Sequence, residues 1–139
     1  MVFWTPYTHR KGSSVYRTLI VARMDPGDAG AVAEAFARSD QTELPRMLGV
    51  HGRALFRFHD LYFHLVESRN EIAAPLDRVR EHPLFTGLSS ELARFVSPFS
   101  PDWQGPRDAM AQCFYTWESA ESERATASPV ARPASPGGR

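Results

Sequence analysis

The segment VHGRALFRFHDLYFHLVES, residues 50–68, combines residue types that do acid–base chemistry with an alternating apolar pattern. Within it, Arg53 carries a permanent positive charge that can stabilise an enolate or an oxyanion. His64 can transfer protons near neutral pH if its pKa stays close to the usual value for histidine. These two residues can act together on an apolar molecule, provided that the fold brings them close.

A β-hairpin would bring them close. If His59 and Asp60 form a two-residue turn, the residues on either side pair in antiparallel register, although His-Asp is not a favoured turn. Arg53 and His64 then become diagonal neighbours on one face, within side-chain reach of each other. This mixed face consists of Arg53, Leu55, Arg57, Tyr62, His64 and Val66. The opposite, phenylalanine face consists of Ala54, Phe56, Phe58, Leu61, Phe63 and Leu65.

Two arrangements of helices fit such a hairpin. In the first, helices cover the phenylalanine face and water covers the mixed face, so that Arg53 and His64 are ordinary surface residues. In the second, the phenylalanine face packs against another subunit. Helices then cover the mixed face and leave a cavity lined by arginine, histidine, tyrosine and leucine. The alternating pattern alone does not choose between them.

The remaining segments predict an α+β domain. Residues 16–24, YRTLIVARM, are typical of a strand. Asp25 followed by Pro26 predicts the start of a helix, in which apolar residues recur at helical spacing as far as Phe36. A last strand is expected at residues 111–117, AQCFYTW, with Cys113 in the core.

A helical region is expected between the hairpin and that last strand. Ser68 and Glu71 have the spacing of a capping box, and Pro75 is expected to bend or delay the helix that follows. His82 is expected to cap a further helix that begins at Pro83. The complete order, βαββαβ, predicts a ferredoxin-like fold with a four-stranded antiparallel sheet.

Composition limits the classes of partner and location. The 139 residues suit one domain, and 16 basic residues balance 16 acidic ones, which argues against a nucleic acid or an anionic membrane as partner. No apolar run approaches the ~20 residues that span a bilayer, and the N-terminus does not resemble a signal peptide. We therefore expect a cytoplasmic protein with an N-terminal extension (1–15), one domain (16–118) and a disordered tail (119–139).

The segments RMDPGDAGAVAEAFARSDQTELPRMLGV, RALFRFHDLYFHLVES, HPLF and FYTW resemble the tetracenomycin-type aromatic polyketide cyclases. The similarity extends from Tyr16 to Trp117. It implies a ferredoxin-like fold that forms a homodimer, a dimeric α+β barrel with the phenylalanine face at the dimer seam. It also implies aldol ring closure and dehydration of a partly cyclised aromatic poly-β-ketone, without metal or organic cofactor. Other polyketide synthase components are further possible partners.

The resemblance also implies the site residues. His64, Arg53 and Asp40 correspond to the proposed acid–base residues of the family, whereas Ser39 occupies a position where some members have a histidine. The substrate is expected to contact the rest of the mixed face, namely Leu55, Arg57, Tyr62 and Val66. No metal site is expected, because the sequence contains neither HExxH nor a pair of cysteines.

Two other functions remain open from the sequence. The same barrel is used by cofactor-free monooxygenases that oxidise anthrones, and Tyr62 near a base would suit that chemistry. Alternatively, the protein binds a nascent polyketide and steers another enzyme without catalysing a step. In either case the mixed face would line the binding cavity.

Overall fold

The computed structural model describes residues 15–120, which form one antiparallel sheet with helices. The strands are β1 (Tyr16–Met24), β2 (Val50–Phe58), β3 (Leu61–Ser68) and β4 (Val96–Pro98). The helices are α1 (Ala29–Ser39), α2 (Leu44–Leu48), α3 (Ala73–Val79) and α4 (Pro83–Leu92), and 3₁₀ turns lie at Pro26–Asp28 and Pro106–Ala109. The strand order β2-β3-β1-β4 is ferredoxin-like, which confirms the expected fold class.

The hairpin has the predicted register. Leu55 pairs with His64 and Arg53 pairs with Val66, across a two-residue turn at His59 and Asp60. The turn is possible because His59 adopts a left-handed backbone conformation, with φ 54°. Within β2, a bulge between Val50 and Gly52 leaves His51 as an extra, exposed residue.

The helices cover the mixed face of the hairpin, as in the second of the two arrangements. Tyr62 packs with Ala22 and Met24 of β1 and with Val32 and Phe36 of α1. The partly buried apolar side chains around this cluster include Leu55, Leu88 and Leu92. On the other side of the sheet, Phe56 and Phe58 remain 56% and 62% exposed. The alternating pattern therefore assigns the hairpin residues to the two faces correctly. In the structure, the helices pack on the mixed face.

The prediction of a last strand at residues 111–117 is wrong. The edge of β1 pairs instead with β4, a strand of three residues that is too short to give a periodic signal. Pro98, which has no N–H to donate, ends that strand. The later segment forms no strand: an isolated bridge joins Met110 to Ile20, Ala111 N donates to Leu19 O at 2.7 Å, and beyond this point Cys113 is exposed rather than in the core.

The predicted capping box at Ser68 is also wrong. Ser68 is the fully buried last residue of β3, and its Oγ donates to the carbonyl oxygen of Asn70 at 2.7 Å. The helix α3 begins only at Ala73, without a side-chain cap. Pro75 then lies in the first turn, where backbone N–H groups have no partner within the helix, so it does not interrupt the hydrogen bonding.

Two other predicted caps are confirmed. Asp25 accepts a hydrogen bond from Gly27 N at 2.8 Å, and His82 Nδ1 accepts one from Leu84 N at 3.1 Å. The short helix α2 was not expected. It is held by the buried Leu44 and Leu48, and it ends at Gly49 in the left-handed conformation, with φ 71°.

Some sequence predictions concern parts of the chain outside the described residues. These are most of the N-terminal extension (1–15) and most of the tail (119–139), so the domain boundaries remain predictions. Within residues 15–120, no helix has the length and apolar character needed to cross a membrane. The cytoplasmic location remains a prediction.

The turn at Gly49 connects α2 to the strand that carries Arg53, and its conformation can be tested by substitution. Gly49→Ala should lower the free energy of unfolding by about 1 kcal/mol, because alanine is strained at positive φ. The matched control is Gly87→Ala within α4, where an added Cβ meets nothing within 4 Å. This control should raise the free energy of unfolding by about 0.5–1 kcal/mol. Urea unfolding measures both, and equal effects of the two substitutions would contradict the assigned turn.

Candidate active site

Three side chains from different elements are joined by direct contacts on the mixed face. Arg53 Nε lies 3.0 Å from each carboxylate oxygen of Asp40, and Arg53 Nη2 lies 2.8 Å from Asp40 Oδ1. On its other side, Arg53 Nη1 lies 2.9 Å from His64 Nε2. The three predicted acid–base residues are therefore adjacent, with Arg53 between the other two. We refer to them as the Asp40–Arg53–His64 cluster.

The backbone of three elements determines this arrangement. Arg53 and His64 come from neighbouring strands, and the β2–β3 register makes them diagonal neighbours. Asp40 is the C-cap of α1, where its N–H donates to the carbonyl oxygen of Phe36 at 2.8 Å. Residues four apart lie on the same side of a helix, so Asp40 and Phe36 both reach towards the sheet.

Phe36 is a member of the site that the sequence analysis treated only as core. Its ring centroid lies 4.9 Å from the guanidinium carbon of Arg53 and 4.8 Å from the centroid of the His64 ring. The ring face attracts the guanidinium charge and excludes water from one side of it. One sequence feature could have identified Phe36 as a site residue, namely its position four residues before Asp40 on a predicted helix.

His64 is electrically neutral in this site. It is 7% exposed, and burial, together with the nearby charge of Arg53, lowers its pKa to about 3. The condition for proton transfer by His64 near neutral pH, a pKa close to the usual value for histidine, is therefore not met in this arrangement. An arginine can only donate hydrogen bonds, so Nε2 of His64 is the acceptor and the proton is assigned to Nδ1. The ring thus offers a neutral N–H donor rather than a free basic nitrogen.

Tyr62 lies beside His64 on the same strand, with their ring centroids 6.3 Å apart. Its side chain is buried, at 4% exposure. Burial raises the pKa of the Tyr62 hydroxyl well above its usual value, and the positive charge of Arg53 opposes part of that rise. Tyr62 therefore keeps its proton throughout the physiological pH range.

The other expected substrate contacts differ in their surroundings. Leu55 is half-buried opposite His64, and Val66 is 2% exposed opposite Arg53. Arg57, opposite Tyr62, is exposed. Tyr62 is a member of the buried apolar cluster beneath α1, and Leu55 packs against that cluster.

Neither of two nearby polar positions adds a second imidazole to the cluster. Ser39 lines a groove of about 230 Å³ between α1 and α4, and its carbonyl oxygen accepts a hydrogen bond from Thr42 Oγ1 at 2.6 Å. His51 is exposed at the bulge. Within residues 15–120 there is no group of three or more histidine, cysteine, aspartate or glutamate residues placed to bind a metal ion.

Comparisons with known proteins agree with this fold. Residues 16–118 match the family described as "Polyketide synthesis cyclase". The chain is 47% identical to tetracenomycin F2 cyclase from Streptomyces glaucescens over 107 residues, which cover 77% of this chain and 98% of the relative. It is 42% identical to the polyketide synthase CurG from Streptomyces cyaneus over 105 residues, which cover 75% of this chain and 98% of the relative.

A solved structure gives the same result. The structure of tetracenomycin F2 cyclase from Streptomyces glaucescens, described as a type-II polyketide cyclase, superposes with a TM-score of 0.71. The superposition covers 75% of this chain and 98% of the solved one. Because the match spans the whole described sheet and the helices above it, the chain belongs to the polyketide synthesis cyclase family, whose members are enzymes that close rings on polyketides.

Proposed function

We propose that this enzyme closes a ring on a partly cyclised aromatic poly-β-ketone by aldol condensation and dehydration, and that the Asp40–Arg53–His64 cluster is its polar centre. The observation that carries the proposal is the position of Arg53, which contacts both an acid and a neutral histidine beside the buried apolar cluster that includes Phe36. This arrangement suits a flat, apolar substrate with a few oxygen atoms. The identity to tetracenomycin F2 cyclase supports the same chemical class of substrate.

The chemistry requires a base, a site for negative charge and a proton donor. A methylene between two carbonyls loses a proton to form an enolate, and the enolate carbon then attacks a ketone elsewhere in the chain. Since Nε2 of His64 is occupied by Arg53, we assign the base to the Asp40 carboxylate, which is 38% exposed at the side chain.

Arg53 and His64 act on the negative charge. A guanidinium has five N–H groups, and the contacts to Asp40 and His64 use three of them. The remaining two can donate to the enolate oxygen, where a fixed positive charge in a partly desolvated site is most effective. The Nδ1–H of His64 supplies a further neutral donor. Because such substrates also cyclise without help, much of the enzyme's contribution is to select which carbon meets which carbonyl.

We also propose that the active form is a homodimer. The phenylalanine face includes two side chains that are more than half exposed, and a groove of about 360 Å³ lies between this face and residues 111–118. Leu19 and Leu65 line the groove from the sheet, and Trp117 lines it from the C-terminal segment. An exposed apolar surface of this kind is rare on a monomer and is typical of a subunit contact.

Substitutions in the cluster test the proposed reaction. Arg53→Ala and Asp40→Asn should each slow the correct ring closure by about 10²–10⁴-fold and increase shunt products formed spontaneously. Arg53→Lys should restore only part of the rate, because a point charge replaces a planar donor. Product profiles by chromatography give both rate and regiochemistry, with circular dichroism to verify folding.

Matched controls make that experiment specific. Arg46→Ala and Asp102→Asn change exposed residues of the same types outside the cluster, and both should retain the wild-type rate. Wild-type activity in Arg53→Ala and Asp40→Asn would contradict the assigned centre. Consumption of dioxygen during wild-type turnover would instead support the monooxygenase alternative.

The dimer is tested by placing a charge on the phenylalanine face. Phe56→Glu should convert a dimer into a monomer or an unfolded chain, because the carboxylate would be buried without a partner. Ala37→Glu, on the exposed side of α1, is the control and should leave the dimer intact. Sedimentation velocity at micromolar concentration measures the outcome, and a wild type that sediments as a monomer would refute the proposal.

A further inference from the structure

The hydroxyl of Tyr62 is a buried polar group without a hydrogen-bond partner among the described residues. The side chain is 4% exposed, and no residue between 15 and 120 forms a hydrogen bond with its oxygen. Most buried hydroxyls in folded proteins have a hydrogen-bond partner, and an exception usually marks a bound water or a ligand. A phenylalanine would fill the same volume without this cost, so packing alone does not account for the hydroxyl.

The position of Tyr62 places it beside the Asp40–Arg53–His64 cluster. It lies two residues before His64 on the same face of β3, and its ring is 6.3 Å from the His64 ring between centroids. Phe36 contacts both Arg53 and His64, and it also belongs to the buried apolar cluster that contains Tyr62. The charge of Arg53 acts on the Tyr62 hydroxyl, which places that hydroxyl within electrostatic range of the guanidinium.

We propose that Tyr62 is a further catalytic residue, whose O–H donates a hydrogen bond to the ketone oxygen that becomes the alkoxide during ring closure. This inference rests on the proposed aldol function and names the group that binds the electrophile. Arg53 would bind the enolate oxygen of the nucleophile, so that the two reacting halves of the substrate have separate donors.

The proton and electron balance of the step is simple. Asp40 takes a proton from the methylene, and the enolate carbon forms the new C–C bond with the ketone carbon. The π electron pair of the ketone moves to its oxygen, where the Tyr62 O–H stabilises the charge without losing its own proton. The proton held by Asp40 then reaches this oxygen, which gives the alcohol in a ring already closed by the C–C bond. The later loss of this hydroxyl and of a proton from the neighbouring carbon, as water, places a C=C bond in the ring.

Burial suits Tyr62 to donation rather than to complete proton transfer. A phenolate formed within the apolar cluster would be poorly solvated, so the neutral form persists and offers a fixed donor. A donor that is already oriented and desolvated contributes more to the transition state than one in water does.

The direct test is Tyr62→Phe, which removes one oxygen and retains the ring. The variant should close the ring about 10²–10³-fold more slowly, the usual loss when one oxyanion donor is removed. Its melting temperature should equal or exceed that of the wild type, since no protein hydrogen bond is lost. Tyr115→Phe, at a tyrosine that is 75% exposed, is the matched control and should leave the rate unchanged.

A spectroscopic measurement separates this inference from the reaction itself. The probe is 9-fluorenone, a flat tricyclic ketone with one carbonyl and no acidic C–H. In the infrared spectrum, the carbonyl stretch of fluorenone bound to the wild type should lie at lower wavenumber than that of fluorenone without a hydrogen bond. In Tyr62→Phe, the stretch should return towards the value without a hydrogen bond.

Each outcome has one interpretation. Slower ring closure together with loss of the carbonyl shift supports the proposal. A wild-type rate in Tyr62→Phe, or a carbonyl band that is the same in variant and wild type, overturns it while the cyclase function stands. A wild type that does not accelerate ring closure overturns the proposed cyclase function. If the fluorenone shift still depends on Tyr62 in that case, hydrogen-bond donation by Tyr62 to a ketone is confirmed even though the cyclase function has failed.

Discussion

The contact of Arg53 with both Asp40 and His64 determines the character of the whole site. A guanidinium that is 15% exposed at the side chain needs compensation for its charge, and the Asp40 carboxylate provides it through two of the guanidinium nitrogens. The same guanidinium occupies Nε2 of His64 and lowers its tendency to bind a proton. One interaction therefore joins α1 to the hairpin, occupies Nε2 of His64 and, together with burial, keeps the histidine neutral.

The two faces of the hairpin explain why this cluster can lie under helices. An alternating strand pair gives one polar and one apolar face, and ordinary solvation would place the polar face in water. Here Phe36 and the helix that carries it cover the polar face, and the buried charge is satisfied locally by Asp40. The phenylalanine face is left exposed, which leads to the proposal of a second subunit.

The sequence predicted the hairpin and the proximity of Arg53 to His64 better than it predicted the sheet edge. Alternation over residues 50–68 defined the register, and with it the Arg53–His64 pair. The three-residue β4 is too short to give a periodic pattern. The segment 111–117 has strand-like residues, but its backbone pairing with β1 is limited to the bridge at Met110 and the hydrogen bond from Ala111. The neutral state of His64 was also unpredictable, because it depends on burial and on a contact that only the fold creates.

The central claim is that burial, together with the contact from Arg53, keeps His64 neutral with its proton on Nδ1. Nitrogen-15 NMR of histidine-labelled protein during a pH titration measures this directly. The account predicts a His64 signal with protonated Nδ1 and unprotonated Nε2 that does not change between pH 7 and roughly pH 4, because the pKa is lowered to about 3. In Arg53→Ala, the tautomer should change or the pKa should rise. A wild-type His64 that titrates near pH 6.5, or that carries its proton on Nε2, would contradict the account.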